Sequence, residues 1–80
     1  MVPADVARTA ADTTRPPDGL RAVAALRRLA DTLELQQVEA ALRAGLSWLE
    51  IADHLGVTRQ AVHKKYARRV PPGLARTRRT

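Results

Sequence analysis

Ser47, Asp53 and His54 supply the residue types of a hydrolytic triad. They crowd onto one short segment with two members adjacent, so their side chains diverge and cannot converge on a reacting atom. His54 and His63 could ligate a metal, but the chain has no cysteine and no paired carboxylate at ligand spacing from either histidine, which argues against a metal site. What remains is the chemistry of cations. From His54 to Thr80 the chain carries eight basic residues (Arg59, Lys64, Lys65, Arg68, Arg69, Arg76, Arg78 and Arg79) and no acid, a net charge of +8. Residues 1 to 53 carry six arginines against eight acids, a net of −2. A chain polarised in this way is suited to meeting a polyanion with its terminal third. Neither catalysis nor a cofactor is expected.

The elements that must present these cations have little material to work with. Eighty residues make at most one small domain, and without cysteine only an apolar core can hold it together. Alanine, leucine and valine dominate that apolar content, Trp48 and Tyr66 are the only aromatic residues, and the composition reads as all-α. No run of apolar residues approaches the roughly 18 to 20 needed to cross a bilayer, and the first residues lack the basic-then-apolar pattern of a signal peptide. The expectation is a soluble, cytoplasmic protein with no membrane partner.

Residues 1 to 17 show no helical or alternating period and close with Arg15-Pro16-Pro17, so they are expected to form a disordered arm. Residues 71 to 80 are expected to form a basic tail set off by Pro71-Pro72-Gly73. Between them, Asp18 can cap a helix with no glycine or proline breaker from Leu20 up to Gly45. That absence favours one long helix over residues 18 to 44, of about 40 Å, rather than two shorter ones. Its apolar face moves, however. Val23, Leu26, Leu29 and Leu33 lie on one side, whereas Leu35, Val38 and Leu42 lie nearly opposite, so the second half suits the domain core and the first half suits a second subunit. A homodimer through Val23, Leu26, Leu29 and Leu33 is expected.

After Gly45 the sequence Ser47-Trp48-Leu49-Glu50 is a capping box that opens a helix over residues 47 to 56. Trp48, Ile51, Ala52 and Leu55 share its inner face, and Gly56 ends it. Thr58 caps a further helix expected over residues 58 to 70, with Ala61, Val62 and Tyr66 facing inward. Residues 47 to 66 resemble the helix-turn-helix of bacterial transcription regulators, especially short regulators of GC-rich bacteria, and also the corresponding part of sigma factors and DNA invertases. The small Ala52 fits where the two helices cross closely, Gly56 fits a left-handed turn, and Val57 and Val62 plug the angle between the helices. The resemblance covers about a quarter of the chain.

That resemblance implies double-stranded DNA as partner, with the second helix in the major groove. Carried over position by position, it implies base reading by Thr58, Arg59, Gln60, His63 and Lys64, with Arg59 suited to guanine and Gln60 to adenine. It implies phosphate contacts by Ser47, Lys65, Arg68 and Arg69, and further tail contacts by Arg76, Arg78 and Arg79. Ala67 can offer at most a contact to a thymine methyl. The function so implied is sequence-specific DNA binding by a homodimeric, nucleoid-associated transcription regulator. Two alternatives stand beside it. One is a helical adaptor docking on RNA polymerase or a sigma factor, and the other is a nucleoid-type protein that binds DNA without regard to sequence. Trp48 and Tyr66 are read as core residues rather than base-stacking platforms.

Overall fold

The computed structural model describes residues 3–75, which form five α-helices and no strand. These are α1 (Pro3–Ala11), α2 (Pro16–Arg43), α3 (Trp48–Leu55), α4 (Arg59–Tyr66) and α5 (Pro72–Ala75). The long helix expected from the sequence is present and uninterrupted. At 28 residues it is about 42 Å long. The chain divides into two compact units whose boundary falls inside α2, between Leu33 and Glu34.

In the first unit the expected disordered arm is replaced, over residues 3 to 11, by helix α1. Pro3 occupies the first helical position, where its missing N–H costs nothing. Asp5 sits in the first turn, paired with Arg8 at 3.3 Å. Its apolar and polar residues do segregate by side, but the apolar side is mostly alanine, with Val6 the one large residue buried. Asp12 closes the connection by accepting from the Thr14 backbone N–H at 3.0 Å. Gly19 and Ala22 then let α2 pass closely beneath the end of α1, and a Cβ at Gly19 would sit 3.4 Å from the Asp12 carbonyl oxygen.

α2 starts at Pro16, two residues before the expected cap. Asp18 is therefore not the N-cap. It lies in the first turn, bridged at 2.8 Å by both Arg15 and Arg21. Both arginines hold the Asp18 carboxyl below its ordinary pKa, the hydrogen bond from Arg21 most strongly.

In the second unit the core is Val38, Leu42, Trp48, Ile51, Ala52, Val62, Tyr66 and Val70. The expected inner face of the later part of α2 is the observed one, with Val38 and Leu42 buried and Leu35 packed against the cluster. Two glycines turn the chain around this core. Gly45 (φ 94°) ends α2 and Gly56 (φ 71°) ends α3. At each, the following residue donates back to a carbonyl five positions earlier, Leu46 to Ala41 and Val57 to Ala52, both at 3.0 Å. This double-bonded closure requires a left-handed residue, which any side chain would penalise.

α4 ends at Tyr66 rather than running to residue 70. Pro71 disfavours helix in Val70, and residues 67 to 69 form turns that bring Val70 into the core. The chain past Pro71 does not leave the body at once, as a separate tail would. α5 packs Leu74 and Ala75 on the core, and the Trp48 Nε1–H donates to the Ala75 carbonyl at 3.1 Å. Three positions expected to face inward are exposed instead, Ala61 on α4 among them. Leu55 is 38% exposed and Val57 is 47% exposed, so Val62 alone fills the angle between α3 and α4.

Candidate nucleic-acid interface

α3 and α4 are both set by local chemistry. The Ser47 hydroxyl accepts from the Glu50 N–H at 3.1 Å, and the Glu50 carboxylate accepts from the Ser47 N–H at 2.9 Å. Together they complete the capping box read from the sequence. Thr58 accepts from the Ala61 N–H at 3.1 Å and starts α4. With Val62 and Tyr66 committed to the core, the 100° spacing of a helix turns Gln60, His63 and Lys64 outward together, and all three are exposed. Arg68 and Arg69, just past the end of α4, are exposed as well. There is no acid in the first turn of α4, and His63, Lys64 and Lys65 occupy its last turn, where positive charge suits the helix dipole.

The remaining sequence-nominated residues divide. Thr58 is exposed, but its side-chain oxygen is used by the cap. Arg59 is half-buried, and its Nε is enclosed without a hydrogen-bond partner among the described residues. Ala67 is half-buried against the core. His63 meets the edge of Trp48, with ring centroids 5.1 Å apart and planes at 81°, so its ring is steered by a core residue while remaining exposed.

Ser47 does not stand at the surface as a phosphate contact would. It is 6% exposed, because forming the capping box tucks the hydroxyl against the backbone it caps. Lys65 is also differently engaged, with its Nζ 3.4 Å from the Glu34 carboxylate and 5.2 Å from the centre of the Tyr66 ring. Arg76, Arg78 and Arg79 lie outside the described residues. In the first unit, Val23 and Leu26 are half-covered, since α1 shields the start of the stripe, while Leu29 (36%) and Leu33 (50%) stay exposed.

Sequence reasoning missed Glu34. Its carboxylate accepts a hydrogen bond from the Tyr66 hydroxyl and pairs with Lys65, joining α2 to α4. Burial, followed by this hydrogen bond, raises the Tyr66 pKa above the ordinary tyrosine value. No local signal announces a pair 32 residues apart. The one available hint is that a buried tyrosine hydroxyl must find a partner.

Among the described residues no cluster of histidine, cysteine, aspartate and glutamate is arranged to hold a metal ion, and no helix is long and apolar enough to cross a membrane. The arrangement offers a convex, cation-rich helix face rather than an enclosed cleft. Compared with family models, with curated proteins and with solved structures, the chain matches none.

Proposed function

We propose that the protein binds double-stranded DNA through α3 and α4 acting as a helix-turn-helix, as a homodimeric regulator of transcription. One observation carries the reading: the face of α4 opposite the core exposes Gln60, His63 and Lys64 together, with Arg68 and Arg69 beyond them and no acid in the chain from His54 onward. A helix face of this kind fits the major groove, where Gln60 and Lys64 can meet base edges while Arg68 and Arg69 meet phosphates. Arg59 supports the same reading, because its enclosed Nε–H has no acceptor among the described residues and an acceptor supplied by DNA would satisfy it.

The proposed dimer uses the exposed part of the apolar stripe of α2, Leu29 and Leu33. Twofold symmetry then calls for inverted half-sites about 34 Å apart, one turn of DNA, or a multiple of that spacing.

Selection of bound duplexes from a random pool tests the proposal. An inverted repeat with constant spacing is expected, and recovery of an unenriched pool would reduce the protein to a binder of DNA in general. The adaptor reading draws on the exposed leucines of α3, Leu49 at 51% and Leu55 at 38%. A gel shift with mixed duplex fragments separates the two, since an adaptor leaves duplex DNA unretarded at physiological salt.

A further inference from the structure

The basic surface of α4 is not uniformly available. Lys64 and Lys65 are neighbours in sequence, yet only Lys65 is turned back to α2, where Glu34 receives both its ammonium and the Tyr66 hydroxyl. Tyr66 is fully buried beneath two cations one helical turn apart, with Lys65 Nζ at 5.2 Å and the Arg69 guanidinium carbon at 5.5 Å from the ring centre. Glu34 thus meets two adjacent residues of the cationic helix with one carboxylate.

We propose that Glu34 is a positioning residue of the DNA-facing helix: it seats α4 on α2 through Tyr66, and it withdraws the charge of Lys65 from the cations offered to DNA. This rests on the DNA reading above and sharpens it. Lys65 leaves the set of phosphate contacts, and the ion pair sets the affinity of the protein for DNA of any sequence below what its cation count would allow. The physical basis is counterion release. Each cation that reaches a phosphate adds to the salt dependence of binding, whereas a cation already neutralised by a carboxylate adds nothing.

The experiment measures affinity against salt concentration with a labelled short duplex of mixed sequence. Relative to the unmodified protein, Arg68→Met is expected to flatten the logarithmic slope by about 0.9, the value for one lost phosphate contact. Lys65→Met should leave the slope unchanged. Glu34→Gln keeps an oxygen that can accept from Tyr66 but removes the carboxylate charge that Lys65 meets, so the slope should steepen, by up to about 0.9, with tighter binding at low salt. The double variant Glu34→Gln/Lys65→Met should return to the original slope. A purely structural role for Glu34 would change affinity or stability without this reversal.

A Lys65→Met slope as flat as that of Arg68→Met overturns the inference, and this result does not depend on whether the Glu34 variant folds. An unchanged slope for a folded Glu34→Gln overturns it as well. Failure of the unmodified protein to bind any duplex removes the DNA reading and this inference with it, which is a different outcome from binding with the wrong slopes. The contact itself is read without DNA. Tyr66 is the only tyrosine, so its ultraviolet titration should move down in Glu34→Gln, which loses a carboxylate, and up in Lys65→Met, which loses an ammonium. No movement in either variant would show that the cluster does not form in solution.

Discussion

Tyr66 joins the core to the charged surface, because its ring is fully buried while its hydroxyl still finds the Glu34 carboxylate. Ionising that hydroxyl would set a charge at the edge of the core and against the Glu34 carboxylate, both of which raise its pKa. The folded state therefore binds the tyrosine proton more tightly than the unfolded chain does. By linkage, the associated stability is fully present below the unfolded tyrosine pKa of about 10 and declines as pH rises beyond it. Thermal melts should show a fall above this pH that Tyr66→Phe abolishes, and Tyr66→Phe should itself cost about 0.5–1.5 kcal/mol at neutral pH. Ser47 is decided at the same scale. Since its hydroxyl is spent on the cap, Ser47→Ala should lower stability by about 1 kcal/mol and leave the salt slope of DNA binding unmoved. A flattened slope would restore it to the phosphate contacts. Both residues were visible in the sequence, Ser47 through its capping box and Tyr66 through its helical spacing. Their partners differed in legibility, since Glu50 lies three residues from Ser47 and Glu34 lies 32 from Tyr66.

The helices carry a different kind of information. Gly45 and Gly56 each sit in the left-handed region with open space around the missing side chain, so substitution there is a conformational cost and not a clash. Gly56→Ala should destabilise by about 1–2 kcal/mol in urea unfolding without altering the packing of Val62. α5 makes a sharper case, because four residues after a Pro-Pro pair look like the start of a tail and yet close the core over Trp48. Removing residues 71 to 80 should leave the Trp48 indole N–H without its carbonyl and shift the emission of this single tryptophan to the red. Unchanged emission would show that α5 does not shield it. α1 escaped the sequence reading for the reason that makes it short. It buries one large residue, Val6, and the rest of its apolar side is small alanines that make a weak signal in a short, proline-bounded segment.

At the scale of the whole molecule, a small core and an exposed stripe on a long helix belong together. The second unit buries eight residues in one cluster, and α1 covers only the beginning of the stripe on α2. Leu29→Glu with Leu33→Glu should convert a dimer to a monomer in light scattering and weaken binding to paired half-sites far more than to one half-site. A monomer before mutation would remove the dimer from the proposal. The sequence by itself determined the all-helical class, the uninterrupted α2, both glycine turns, both caps on α3 and α4, and the separation of acidic and basic thirds. All of these follow from contacts within five residues or from composition, which a chain carries before it folds. Tertiary structure decided which cations face outward and which are held. It turned Lys65 to Glu34, docked α5 on Trp48 and drew α1 onto Gly19. Each of these needs two distant segments brought within a hydrogen bond or a van der Waals contact, and no local pattern encodes that meeting.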